Sequence, residues 1–224
     1  MFRVATILLA TAVVISIVLT AQHPGFAQSR QTAATNKTGA AMPGKSASVA
    51  TKMTDAQKIT NAMTAAPQGL SKNATIMDWP DTPNGKPRQL RAGSNGWVCY
   101  PSTPEMHPGV SGDDPMCLDK SWQAWAEAWM NKSQPKISST GIAYMLKGDA
   151  GASNTDPFAM APTATNQWVT SPPHTMVLYP DTKMLEGFST DPTKGGPWVM
   201  WKGTPYAHLM VPVSPTKDAV MPSK

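Results

Sequence analysis

The apolar residues of this chain form one long run at its start and many short runs afterwards. The long run extends from Val4 to Ala21 and follows a basic residue, Arg3. This arrangement is typical of an export signal, whose basic end stays on the cytoplasmic side of a membrane. We therefore expect residues 1–27 to be a signal peptide and the protein to be periplasmic or secreted.

The length of this run leaves a second interpretation open. It is about 18 residues long, between the roughly 7 to 15 of a signal core and the roughly 20 of a spanning helix. Gly25 and Ala27 fit the small-residue positions before a cleavage site, and Pro24 ends the helix, so cleavage after Ala27 is favoured. The alternative is an inner-membrane anchor, in which the uncleaved leader is the only contact with a membrane.

Two segments further along have helical periodicity. Thr54 and Gln57 begin a capping-box pattern, and apolar residues at helical spacing follow until Pro67 ends the short helix. A second helix is predicted from Lys120 to Asn131, with Asp119 as its N-cap. Three tryptophans share one face of this second helix: Trp122, Trp125 and Trp129.

Short β-like runs occupy much of the remaining chain. The 22 prolines and 16 glycines leave little room for long elements. We therefore predict an α+β fold, with a small, mostly antiparallel sheet packed with one or two short helices, many loops and one disulfide. The last two strands are expected to form a hairpin around Lys202 to Pro205. The predicted strands are Thr75 to Trp79, Gly96 to Tyr100, Gly141 to Leu146, Thr175 to Tyr179, Pro197 to Trp201 and Tyr206 to Val213.

The formal net charge of +5 is unevenly distributed. Residues 1–52 carry basic residues and no acidic ones, whereas residues 53–224 carry equal numbers of both. A globular part without net charge lacks the basic surface that nucleic acid requires, so nucleic acid is excluded as a partner. Residues 28–52 are rich in Ala, Ser, Thr and Lys and are predicted to be a flexible linker. Residues 53–224 are predicted to be a single globular domain.

Two cysteines, Cys99 and Cys117, are the only ones in the chain. Exported proteins meet an oxidising compartment, so we expect these two residues to form a disulfide. An alternative is a soft-metal site, because Met106, His107 and Met116 lie within the same loop and thioether and thiolate ligands suit copper(I). The sequence otherwise indicates no cofactor.

The tryptophans of the second helix allow two interpretations. Trp122, Trp125 and Trp129 could form an aromatic platform that stacks against the rings of a ligand. A tryptophan stripe at helical spacing is more often a seam buried against a sheet, and we favour that interpretation.

Two histidines in strand-like segments, His174 and His208, are the candidates for acid–base chemistry. Either could pair with a carboxylate from Asp78, Asp119 or Glu127, as the catalytic pair of an enzyme would. In apolar strands, a histidine that belongs to the core is the more common case. The sequence also lacks the nucleophile-elbow, zinc-protease, phosphate-loop and dinucleotide motifs.

The segments DKSWQAWAEAW, GIAYMLKG, SNTDPFA and GGPWVMWKGTPYAHLMVPV together resemble a family of uncharacterised exported bacterial proteins. The resemblance implies a bacterial source and one domain in the cell envelope, and it brings no activity or site residues. The expected function is a non-enzymatic domain that binds a small molecule or an envelope component. An envelope enzyme with a histidine–carboxylate pair and a copper-binding protein are the alternatives.

Overall fold

A computed structural model describes residues 53–82, 85–102, 113–213 and 221–222. The predicted signal peptide and linker lie outside these residues, as do Met106 and His107. All described residues belong to one compact unit. Within them, no helix is both long enough and apolar enough to span a membrane.

The described residues form three α-helices, two 3₁₀ turns and eleven strands. The helices are α1 (Asp55–Met63), α2 (Gln68–Ser71) and α3 (Lys120–Met130), and the 3₁₀ turns are Thr182–Leu185 and Pro192–Lys194. The strands are β1 (Thr75–Asp78), β2 (Arg88–Arg91), β3 (Val98–Tyr100), β4 (Met116–Leu118), β5 (Gly141–Met145), β6 (Asp149–Ser153), β7 (Trp168–Ser171), β8 (His174–Leu178), β9 (Trp198–Met200), β10 (His208–Pro212) and β11 (Met221–Pro222).

Eight of these strands form one sheet in the order β2-β1-β3-β4-β5-β8-β10-β9. Every neighbouring pair in this sheet is antiparallel except β1 and β3, which are parallel. A second, three-stranded antiparallel sheet has the order β11-β7-β6. The predicted α+β class and the mostly antiparallel sheet are confirmed.

Local sequence signals account for the ends of the two longer helices. Thr54 and Gln57 exchange the two hydrogen bonds of a capping box at the start of α1. The side chain of Asp119 accepts a hydrogen bond from the backbone N–H of Trp122 at the start of α3. Both predicted helices are therefore confirmed, and α1 ends at Met63.

The core lies on both faces of the large sheet. One apolar cluster fills the space between α3 and the central strands, and a second lies beneath α1 around Cys99 and Cys117. The two cysteines are cross-strand neighbours on β3 and β4 and form the predicted disulfide. Side chains alternate along β10, so that Met210 joins the first cluster and Leu209 faces a third one on the opposite side.

Candidate functional site

The end of α3 carries a group of aromatic rings that lie in nearly parallel planes. One helical turn separates Trp125 from Trp129, so both lie on the same face, and their ring centroids are 6.4 Å apart at 6°. Trp201, from the turn after β9, stacks on Trp125 at 5.7 Å and 2°. Phe158, which follows β6, stacks on Trp129 at 6.3 Å and 9°. We call Trp125, Trp129, Trp201 and Phe158 the aromatic cluster.

Trp201 enters this cluster with an unusual backbone conformation. Its φ angle is 55°, a value that bulky side chains rarely adopt. The backbone N–H of Trp201 donates to the carbonyl of Asn154 at 2.9 Å, and its indole N–H donates to the carbonyl of Ser153 at 2.6 Å. A strained backbone of this kind costs about 1–3 kcal/mol, so the surrounding fold must hold the ring in place.

The cluster extends from the core to the surface. Trp125 is only 7% exposed, whereas Phe158 is 38% exposed. Trp129 is partly buried and donates its indole N–H to the carbonyl of Pro157 at 2.9 Å. The ammonium group of Lys132 lies 5.3 Å from the centroid of the Phe158 ring, within cation–π distance.

The predicted tryptophan seam is confirmed for the first two residues of the α3 stripe. Trp122 is 2% exposed and Trp125 is 7% exposed, both packed against the central strands. Their ring faces therefore have little area for a ligand, contrary to the platform interpretation. Trp129 retains exposed surface.

A cleft of about 290 Å³ opens beside the buried end of the aromatic cluster. Its size is near the lower end of the range for small-molecule sites, roughly 300–1,000 Å³. Trp125 lines it, together with apolar side chains and three prolines from the loops around it. Polar residues line it as well: Gln134, Tyr179, Asp181, Thr182 and Thr204. Small-molecule sites combine apolar walls with polar groups, and the exposed lining of this cleft is slightly more polar than apolar.

Two of the polar groups in the cleft are held by neighbouring backbone. Asp181 accepts a hydrogen bond from the backbone N–H of Lys183 at 2.9 Å. The hydroxyl of Thr204 donates to the carbonyl of Trp201 at 2.8 Å, which connects the cleft to the aromatic cluster. Gln134, Asp181 and Thr204 were not predicted from the sequence, because they come from separate loops that carry no shared motif.

Both candidate histidines are buried and bonded to backbone carbonyls. Nδ1 of His174 lies 2.7 Å from the carbonyl oxygen of Pro172, and Nδ1 of His208 lies 3.0 Å from that of Tyr206. Since a carbonyl only accepts, the proton of each neutral ring is on Nδ1. Burial lowers the pKa of both histidines to about 4. Both rings are therefore uncharged at neutral pH.

Two of the three carboxylates proposed as partners of these histidines, Asp119 and Asp78, have other roles. Asp119 accepts hydrogen bonds from the backbone of Trp122 and Ile142 with its two oxygens. Asp78 forms ion pairs with Lys58 and Arg88. The histidines instead face aromatic and backbone groups, with His208 edge-on to Trp122, Trp125 and Trp201 at centroid distances of 5.1–5.6 Å. The structure thus does not bring His174 or His208 together with Asp119 as a hydrogen-bonded pair.

The soft-metal site predicted in the cysteine loop would have no thiolate ligands. Cys99 and Cys117 are joined in the disulfide, and Met116 packs against the main apolar cluster from β4. Met106 and His107 lie outside the described residues. Among the residues that the structure describes, no group of three or more His, Cys, Asp or Glu side chains could hold a metal ion.

Comparison with known proteins identifies no relative of this chain. No protein-family model, curated protein or solved structure matches the chain.

Proposed function

We propose that this protein is an exported, non-enzymatic binding domain that takes a small, uncharged, hydroxyl-bearing ring, of the size of a monosaccharide, in the cleft beside the aromatic cluster. The proposal depends on the composition of this cleft, where three prolines and the small exposed part of Trp125 lie beside polar residues such as Gln134 and Asp181. The apolar faces of the ligand ring would pack on the proline and aliphatic walls, and its hydroxyls would bond to the polar groups.

The polar groups of the cleft suit an uncharged ligand. The Asp181 carboxylate accepts hydrogen bonds, and the Gln134 amide both donates and accepts. Ring hydroxyls also donate and accept, so they match both side chains. The leader sequence supports export, which would bring the domain into contact with envelope sugars.

The chemistry of the histidines favours binding over catalysis. An acid–base catalyst needs a group that exchanges protons near the working pH. His174 and His208 are buried, neutral and bonded to carbonyls, so neither is suited to that role.

A ligand-induced melting screen of the purified protein against single monosaccharides tests the proposal. A ligand at 100 times its dissociation constant stabilises the native state by about 2.7 kcal/mol. For a domain of this size, that corresponds to a rise in Tm of roughly 5–10 °C. Absence of a shift with every sugar at millimolar concentration would contradict the proposal.

Two matched variants locate the binding site. Gln134→Ala removes a polar group from the cleft and should weaken sugar binding by about tenfold, the effect of one hydrogen bond of about 1.4 kcal/mol. Gln68→Ala removes another exposed glutamine, on α2, and should leave binding unchanged. Equal losses in the two variants would place the ligand elsewhere.

A further inference from the structure

Two segments on neighbouring strands repeat one pattern, a histidine followed two residues later by a methionine. His174 and Met176 lie on β8, and His208 and Met210 lie on β10. Residues two apart on a strand point to the same face, and all four side chains are buried. The strands are antiparallel with Met176 opposite Met210. A row of imidazole and thioether groups therefore lies on one face of the large sheet.

A third methionine lies next to the first of these histidines. Met145, the last residue of β5, is the cross-strand partner of His174, the first residue of β8. Directly opposed side chains have Cβ atoms about 4.5–5.5 Å apart. Met176 is two residues along β8 on the same face. Two methionines and one histidine are thus neighbours on one face of the sheet, and these residues are at most 6% exposed.

The imidazole of His174 has an unused lone pair. Its Nδ1 donates to the carbonyl of Pro172, so Nε2 is the unprotonated nitrogen. Nε2 is buried and has no hydrogen-bond partner in the described part of the chain. A buried acceptor without a partner costs about 1–3 kcal/mol, and such a group requires an explanation. Histidines that bind metals are oriented in the same way, by an Nδ1–H bond to a carbonyl.

The chemistry of these donors selects the ion. Thioethers and a neutral imidazole are soft, uncharged ligands that suit copper(I). Without a carboxylate in the donor set, a monovalent cation is less costly to bury than a divalent one. Burial also lowers the pKa of His174 to about 4, so protons do not compete for Nε2 at neutral pH.

We propose that His174 Nε2, Met145 Sδ and Met176 Sδ form a copper(I) site at the end of the large sheet. This site is separate from the cleft and does not depend on the proposed sugar binding. It also differs from the site predicted in the cysteine loop, to which Met116 would contribute. The site lies where β5 ends and β8 begins.

The second histidine–methionine segment provides an internal comparison. His208 is opposite Met200 on β9, and Met210 follows on the same face, which repeats the donor set. Three tryptophan rings surround His208 edge-on, so this imidazole is already in close contact with aromatic groups. We therefore assign the ion to His174.

The test is a competition titration of the purified protein against a chromophoric copper(I) chelator, with ascorbate as reductant. Thiol titration before and after the experiment checks that the disulfide stays intact. We expect one copper(I) per chain. Met145→Leu and Met176→Leu conserve side-chain volume and should each weaken binding by at least about tenfold, the lower limit for loss of an outer-shell partner. Met116→Leu should leave the affinity unchanged.

Several results would overturn the assignment. These are failure of the protein to compete with the chelator, loss of binding in Met116→Leu, and loss in Met200→Leu with Met145→Leu unaffected. Copper X-ray absorption provides a measurement that needs no variant, and two sulfur ligands and one nitrogen ligand are expected. His174→Asn keeps a donor for the Pro172 carbonyl and removes the ligating nitrogen, so it should lose the nitrogen ligand while the melting profile shows a folded protein. A spectrum of the copper-loaded, unsubstituted protein that shows no nitrogen ligand would contradict the site.

Discussion

Asp119 Oδ2 lies 2.6 Å from the backbone nitrogen of Ile142, and this hydrogen bond connects the start of α3 to β5. The other carboxylate oxygen caps α3 through the N–H of Trp122 at 2.9 Å. The Asp119 side chain thus holds the first turn of α3 and fixes the distance of α3 from the sheet. The position of the aromatic cluster depends on this contact, because Trp125 and Trp129 follow on the same helix.

Asp119→Ala should destabilise the protein by about 2–4 kcal/mol, since it removes a helix cap and leaves the N–H of Ile142 without its partner. Chemical denaturation monitored by tryptophan fluorescence measures the change. Asp181→Ala is the matched control, because Asp181 caps only a 3₁₀ turn through Lys183 and should cost about 1 kcal/mol. Equal losses in the two variants would show that the bond to Ile142 contributes nothing.

Lys132 ends α3 in a left-handed conformation, with φ at 50°. Its N–H donates to the carbonyl of Trp129, and the next N–H, from Ser133, donates to that of Ala128. These two bonds form a Schellman motif, which usually has glycine at this position. Lysine therefore adds strain to the helix end, and its ammonium group contacts the ring of Phe158.

Lys132→Gly and Lys132→Ala form a matched pair that measures this strain. Both variants lose the contact with Phe158, but only glycine adopts the left-handed conformation without cost. We expect Lys132→Gly to be more stable than Lys132→Ala by about 1 kcal/mol in thermal denaturation. A more stable alanine variant would contradict this reading of the helix end.

The elements predicted correctly are those whose signals are local. A capping residue and helical spacing determine α1 and α3, and the two strands of the β9–β10 hairpin flank a glycine–proline turn. Five strands, β2, β4, β6, β7 and β11, were not predicted from the sequence, and β2 and β4 show why. The residues Arg88–Arg91 include one apolar side chain, and Met116–Leu118 has three residues, so neither has a periodic pattern. Both become strands through pairing with neighbouring strands, which a local pattern does not encode.

The candidate sites were only partly predictable for the same reason. Burial of Trp122 and Trp125 follows from helical spacing. Stacking of Phe158 on Trp129 depends on a loop that follows β6, and nothing in the SNTDPFA segment indicates it. The pairing of Met145 with His174 depends on the register of β5 and β8. Register is a property of the assembled sheet, so the local sequence does not indicate that these two residues are neighbours.

Asp149 is a partly buried carboxylate, and removal of its charge should stabilise the protein at neutral pH. Desolvation raises the pKa of Asp149 to about 6. The hydrogen bond from the N–H of Gly151 lowers this pKa, and the negative charge of Asp114 raises it by a smaller amount. Its folded-state pKa is above the unfolded value, so its stabilising effect is present below pH 3.8 and is lost as the pH rises through 6.

Asp149→Asn keeps the acceptor for Gly151 and should raise the free energy of unfolding at pH 7 by about 1–2 kcal/mol, with no gain near pH 4. Denaturation at the two pH values measures the difference. The control is Asp156→Asn, at an exposed aspartate that also accepts a backbone hydrogen bond and should change neither value. A gain at pH 4 equal to that at pH 7 would exclude charge as its cause.

His174 and His208 should make the protein less stable as the pH falls, whereas Asp149 makes it less stable as the pH rises. Burial lowers the pKa of both imidazoles from 6.5 to about 4, so the unfolded chain binds protons more readily between these values. The associated stability is present above pH 6.5 and is lost as the pH falls through 4. The expected loss is up to about 2–3 kcal/mol per histidine.

The Asp149→Asn background isolates this effect, because it removes the carboxylate that titrates in the same range. In that background, the free energy of unfolding should fall steadily as the pH falls from 6.5 to 4. His208→Phe keeps an aromatic ring against Trp122, Trp125 and Trp201. This substitution should reduce the pH dependence of the free energy of unfolding by the contribution of one histidine. If the slope is the same with and without this substitution, His208 takes up its proton as readily in the folded protein as in the unfolded one. That result would contradict the structure's description of His208 as a neutral imidazole bonded to a backbone carbonyl beneath the aromatic cluster.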